Sequence, residues 1–386
     1  MLSNHHLLSP AVEAEIASRY EETVSLLKTL CQIPAPSNHE ELRAQWIKNW
    51  LDALGAQGVY IDSALNVVYP FQCDGRDDIV VFMAHTDTVF PDMKPMPMKE
   101  EDGKLHCPGV GDDTANVAVL LTIVKYILEK NLHAAQGFMF VFNSGEEGLG
   151  NLKGCRQLME DYKGRISALI SLDGSYTGYV NKSVGSHRYQ VEVHTEGGHS
   201  YGAFGNRNAI AVLSSMITAL YSVKVPVDGD SRTTYNVGTI SGGTSVNTIA
   251  QKATMLYEYR SDSKACIDQM EKMFYSVIEA YRNMGVEIDV TVMGKRPCMG
   301  DLDPQAQKAL EDRFVPIMMA YNGGITPKAG SGSTDCNIPF SMGVPSICFG
   351  GYRGRGAHTR EEYVVLESLI PGLKIVGASV LSYFQR

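Results

Sequence analysis

No apolar stretch in these 386 residues reaches the length needed to span a bilayer, which argues against a helical membrane protein. Met1 to Tyr20 has neither an apolar h-region nor a basic n-region, so no secretory signal is expected. Basic residues are the minority, 34 against 43 acidic, giving a formal net charge of −9 and a pI near 5.6. That balance argues against a nucleic-acid partner or an anionic membrane surface. The eight cysteines are scattered with no CxxC pair, the pattern of reduced thiols in a cytosol. Cys107 and Cys336 lie near the motifs below but read as buried bystanders. Internal repeats, low-complexity tracts and charge blocks are missing as well. A composition 44% hydrophobic and 20% charged fits a globular chain with a large core and room for two domains.

Acidic and histidine residues fall at recurring places. The apolar run Phe138-Met139-Phe140-Val141-Phe142 reads as a buried strand and leads into Asn143-Ser144-Gly145-Glu146-Glu147-Gly148. Ionised carboxylates there are costly unless something positive neutralises them. No Lys or Arg lies between Gln136 and Leu152 to do so, and a metal would. A second run, Ile79 to Ala84, ends in His85-Thr86-Asp87; a third, Ala168 to Leu172, ends in Asp173. Pro345 to Phe349 precedes a glycine-rich loop that delivers His358. Asp112-Asp113 follows Gly109-Val110-Gly111 and opens a helical run from Ala115 to Lys130. In open α/β sheets the carboxyl ends of the strands are where ligands bind.

Each element alone has an ordinary reading: a core histidine, a solvated turn, a helix cap, an Asp-Gly turn. Their recurrence at one sheet edge points to one cause. His85, Asp112, Glu147, Asp173 and His358 make a dinuclear site whose mixed ligands suit zinc, or cobalt or manganese. Two close cations need a bridging ligand, and Asp112 is the candidate. Asp87, two residues past His85, is expected to take the imidazole's other N–H and fix its tautomer. Glu146 is left as the general base that takes a proton from water and passes it to the leaving nitrogen.

Along the chain, Ser9 to Gln32 reads as one amphipathic helix and His39 to Leu54 as a second. Strand–helix alternation then runs through Asp173, the pattern of a doubly wound α/β sheet. Near Val184 the character changes. A strand over Arg188–His194, a helix over Asn208–Val223, strands over Thr233–Thr239 and Ala253–Tyr259, a helix over Ala265–Met284 and a strand over Val286–Val292 give the order β-α-β-β-α-β. That is a ferredoxin-like unit. The chemistry of the first domain resumes at Ser331 to His358. The expected organisation is therefore a catalytic domain over 1–183 and 298–386 with an insertion over 184–297.

Met83-Ala84-His85-Thr86-Asp87-Thr88-Val89, Gly111-Asp112-Asp113 and Gly145-Glu146-Glu147-Gly148, in that order, resemble the M20 family of metallopeptidases and amidohydrolases. The look is closest to its peptidase-T-like members, and the resemblance covers essentially the whole chain. It implies a catalytic domain of the phosphorylase/hydrolase-like, zinc-peptidase type, with the insertion as the family's lid. It implies the same five ligands, the same base and the same supporting Asp87. Gly197-Gly198-His199-Ser200 resembles the segment of the lid histidine that stabilises an oxyanion. Ser241 to Asn247 is similar to a segment whose Asn, here Asn247, contacts substrate. Arg260 matches an arginine that pairs with a substrate carboxylate. Gly330 to Asp335 looks like a segment that lines the cleft. The activity implied is cleavage of a short peptide by a cytoplasmic exopeptidase with two divalent metal ions, or of an N-acyl amino acid by a deacylase. A homodimer through the lid is also implied. Three departures stand out: Thr114-Ala115-Asn116 where Lys-Gly is common, an extra residue in Gly205 to Ile210, and Ala250 where Pro is usual.

Overall fold

Runs of β-branched and aromatic residues, uninterrupted by charge, form strands buried on both faces. Every residue of Ile79–His85 and Phe138–Asn143 is buried, as are all but one of Ile166–Leu172. Strand Ile79–His85 pairs in parallel with both of the others, His85 opposite Asn143 and Ala84 opposite Leu172. Ser346–Phe349 adds a fourth parallel strand, Phe349 opposite Leu172. The carboxyl ends are therefore level. The computed structural model, which describes residues 6–385, completes this sheet to eight strands, with Tyr60–Ile61 and Val67–Tyr69 on one side and Gly178–Ser183 and Lys328–Gly332 on the other; Val67–Tyr69 and Gly178–Ser183 join the parallel strands antiparallel. Helix Asn116–Glu129 is buried along nearly its whole length and packs with Leu369–Leu381 in the main core.

The sequence pattern of one long first helix is not what forms. Pro10–Ala17 and Tyr20–Cys31 are separate helices. Ser18 closes the first by donating its hydroxyl back to Glu15 O, a local bond that competes with helix continuation. Arg19 turns instead to Glu129 and lies 5.1 Å from the Tyr126 ring.

A small four-stranded antiparallel sheet carries the last of the predicted ligands. Its order is Gly354–Arg355, Tyr363–Val365, Lys104–His106, Lys99–Glu101, and His358 sits in the loop joining the first two.

The chain divides into two compact units: Met1–Lys182 with Asp301–Arg386, and Ser183–Gly300. The second unit is a four-stranded antiparallel sheet in the order Thr233–Gly242, Lys252–Ser261, Gly185–His194, Glu287–Arg296. Helices Ala209–Tyr221 and Lys264–Asn283 cover one face, burying Tyr189, Met255, Tyr257 and Phe274 in a core of its own. The alternating burial of Lys252–Ser261 follows from that one-sided cover. A short ribbon, Gly198–His199 against Thr248–Ile249, is attached. Among the described residues no helix is long and apolar enough to cross a membrane.

Candidate metal centre

His85 ends its strand, Glu146 and Glu147 follow Asn143, and Asp173 follows Leu172, so the level strand ends deliver them to one edge. Asp112 comes from the kinked turn Val110–Ala115 that leads into helix Asn116–Glu129. Its two carboxylate oxygens face different histidines: Oδ1 is 3.1 Å from His85 Nε2 and Oδ2 is 3.1 Å from His358 Nε2. His358 Nε2 is also 3.1 Å from Glu147 Oε1. Two triads result, His85–Asp112–Asp173 and Asp112–Glu147–His358, each with its ligand atoms within 4.8 Å of one another, and Asp112 belongs to both. Glu146 joins His85 and Glu147 in a third such group.

Backbone amides, which the side-chain pattern does not reveal, hold this arrangement. Asp87 is fully buried, and its carboxylate accepts from Glu146 N at 2.9 Å, Glu147 N at 3.0 Å and the Ser37 hydroxyl at 2.7 Å. The nearer partner of His85 Nδ1 is the Asp87 main-chain carbonyl at 3.1 Å, with the carboxylate at 3.5 Å. Asp87 therefore orients His85 chiefly through its backbone, and its carboxylate is committed to the Glu146–Glu147 loop. Four further acids join it; the sequence named Asp113 and Asp335 only within motifs, and Glu40 and Glu362 not at all. Asp113 Oδ2 accepts from His85 N and its Oδ1 from Asn116 Nδ2. Glu40 accepts from Gly145 N and Lys153. Glu362 accepts three amides of the Asp112 loop. Asp335, in the Gly330 to Asp335 segment, is fully buried and accepts from Asn143 Nδ2. Asp113 meets Asn116 three residues on, whereas Glu40, Asp335 and Glu362 have distant partners that leave no signal in the sequence.

The electrostatics shows what the cluster demands. Burial pushes the Glu147 carboxyl up to about 7 despite its bond to His358. Burial and the Asp112 charge push Asp173 well above the usual range. Burial and the Glu146 charge push Asp335 up to about 7. Burial also opposes the charge on Asp112, but the hydrogen bonds from His358 and His85 outweigh it and hold this acid below its ordinary value. His358 is pushed up to about 10 by its bonds to Asp112 and Glu147. Burial lowers His85, yet the Asp113 charge and the bonds to Asp112 and Asp87 carry it well above normal. Crowded acids that draw protons onto both imidazoles are a nest that calls for cations. The nitrogen and carboxylate donors fit two divalent ions sharing Asp112.

The remaining predicted residues lie on the inserted unit. His199 is exposed, and its Nδ1 accepts from Tyr201 N and Gly202 N, both at 3.3 Å. Asn247 is exposed, its Oδ1 accepting from Ser245. Arg260 is not an open fork. Glu258, two residues earlier on the same strand, takes its Nε at 3.0 Å and Nη2 at 3.1 Å, and Arg188 reaches the same acid.

Residues 81–382 match the model of peptidase family M20/M25/M40. A succinyl-diaminopimelate desuccinylase of Corynebacterium glutamicum is 25% identical, the match covering 90% of this chain and 93% of that one. The fold is shared with a tripeptidase from Staphylococcus aureus at TM-score 0.73 and 22% identity, over 94% of this chain and 97% of that one. It is also shared with a dinuclear metal-binding peptidase of the M20 family from Bacillus subtilis, at TM-score 0.62 and 14% identity, over 95% and 99%. With the strand-end cluster and the family match in agreement, this chain belongs to peptidase family M20/M25/M40, metal-dependent hydrolases that act on peptide bonds.

Proposed function

We propose that the protein is a dinuclear exopeptidase that trims a terminal residue from short peptides, in the manner of an aminopeptidase acting on tripeptides. One observation carries this reading: Asp112 presents one oxygen to each of two histidine-containing triads. His85, Asp112 and Asp173 would hold one cation, Asp112, Glu147 and His358 the other, and the donor set suits zinc. When bound, the pair supplies Lewis acidity toward the scissile carbonyl and lowers the pKa of water.

The chain's own groups do the rest. Glu146, held by its amide on Asp87, takes the proton of the attacking water and returns it to the leaving nitrogen. His199, accepting two amides at Nδ1, carries its proton on Nε2 and donates it to the oxyanion. Asn247 contacts the substrate. Arg260 takes the free carboxylate of the substrate in exchange for Glu258. The inserted unit serves as lid and dimer interface: strand Thr233–Gly242 is an edge strand, and Ile240 on it is half exposed. Eight free, buried cysteines suit a reducing cytoplasm.

The likeness to a desuccinylase along nearly the whole chain favours a second reading, an N-acyl-amino-acid deacylase. Protein loaded with zinc, cobalt or manganese is incubated with di- and tripeptides and N-acyl amino acids beside a chelated control, and products are read by mass spectrometry. Metal-dependent release of one terminal residue is the expected result. Release of acyl groups from the N-acyl amino acids with the peptides untouched assigns the deacylase, and no product with any metal overturns both readings. Glu146→Gln should keep both cations and lose about 10²–10⁴-fold in turnover.

A further inference from the structure

Glu362 is 2% exposed and lies in the strand-to-strand loop region that also carries His358. Its carboxylate is saturated by backbone. Oε2 accepts from Gly109 N at 2.6 Å, and Oε1 accepts from Gly111 N at 2.9 Å and Asp112 N at 2.8 Å. Its own main-chain carbonyl accepts from Cys107 N at 3.2 Å. The three amides lie at the start of the turn Val110–Ala115, whose backbone is not helical at Asp112, and the carboxylate gives each of them an acceptor. The approach is made possible by glycine. Gly109 has φ +74°, and a Cβ on Gly111 would come 2.6 Å from the Tyr352 hydroxyl.

We infer that Glu362 is a positioning residue that presents Asp112 to both cations, by tying the loop of Asp112 to the loop of His358. This rests on the dinuclear reading given above. The Asp112 side chain hangs from the very peptide that Glu362 holds, and its two oxygens must reach two partners at once. A bridging ligand tolerates little error, on the order of 0.5 Å. A glutamine at this position would turn its NH2 either toward Gly109 N or toward Gly111 N and Asp112 N, and leave at least one buried amide unsatisfied. The loop would then settle elsewhere, and Asp112 with it.

The test is cation affinity, measured by titration calorimetry and chelator competition with zinc and with cobalt on the full-length protein. The parent should take up two ions. Glu362→Gln should bind the pair about 10–100-fold more weakly, and Glu362→Asp, which keeps the charge with a shorter reach, should recover part of that loss. Asn208→Ala, which removes the cap of a helix on the inserted unit, should lower Tm without moving cation affinity. If Glu362→Gln does not fold, Glu362→Asp alone should still bind the pair more weakly than the parent. Parental affinity in a folded Glu362 variant with a lowered Tm would reduce the residue to a structural one and overturn the inference. A parent that binds no ion pair would instead defeat the dinuclear reading.

Discussion

The catalytic unit and the inserted unit bury different chemistry. The first buries Glu40, Asp87, Asp113, Glu146, Glu147, Asp335 and Glu362, while among the described residues the second buries no carboxylate at all. The inserted unit fills its core with stacked rings instead: Phe274 lies 4.3 Å from Tyr189 and 5.5 Å from Tyr257. Its buried polar groups include a relay, the Tyr259 hydroxyl with His187 Nδ1 at 2.8 Å and with the Tyr189 hydroxyl at 2.9 Å, which ends on the Glu271 carboxylate, and one cation, Arg296. Its charges pair on the solvated side, Arg188 with Glu258 and Lys252 with Glu192. The chain itself satisfies Glu40, Asp87 and Glu362 with amides, a hydroxyl and a lysine, whereas the acids crowded at the strand ends call for cations. Function is concentrated where the fold leaves its charge unbalanced.

Asp112→Asn is the sharpest way to break this contrast. It keeps the shape and removes one negative charge from both triads. The expected result is one bound cation instead of two and a fall in turnover of about a thousandfold, several kcal/mol of charge stabilisation at 1.4 kcal/mol per decade. Retention of two ions with parental affinity would mean that Asp112 is not the shared ligand.

Phe274→Ala strikes the other unit. Removing a fully buried ring between two tyrosines should cost about 3–5 kcal/mol in denaturant unfolding. Affinity for the ion pair should not move, because His85, Asp112, Glu147, Asp173 and His358 all lie in the other unit. A parallel drop in affinity would show that the two units do not behave as separate cores.

The same contrast explains what the sequence made legible. Strands such as Ile79–His85 and Phe138–Asn143 are visible because burial on both faces demands unbroken apolar runs, and the acidic residues after them stand out against those runs. The five side chains that the sequence nominated as ligands do come together in the structure. The holding groups were hidden. Glu362 meets its amides across some 250 residues, and backbone donors leave no trace in side-chain identity. The strands Lys99–Glu101 and Gly354–Arg355 are too short and too polar for any periodicity. The break at Ser18 was missed because the apolar face continues across it while the hydrogen-bond ladder does not. The bond from the fork of Arg260 to Glu258, two residues earlier on the strand, is visible only once the side chains are placed.

The smallest effect belongs to His187, and its sign separates the units once more. Burial lowers its pKa, with Lys295 acting the same way and Glu271 and Asp268 opposing, so the folded unit holds the ring neutral against the Tyr259 hydroxyl. The unfolded chain binds this proton more readily, near the ordinary value of about 6.5. The contribution of His187 is therefore present above that value and is lost as pH falls through the depressed folded pKa. Amide exchange of strand Lys252–Ser261, which pairs Tyr259 opposite His187, reads this locally in the full-length protein. Between pH 7 and pH 5 its protection should decline by at most about 1.4 kcal/mol per pH unit, the limit for one proton. His187→Gln should flatten that decline. Equal slopes in parent and variant would place the proton uptake on another group.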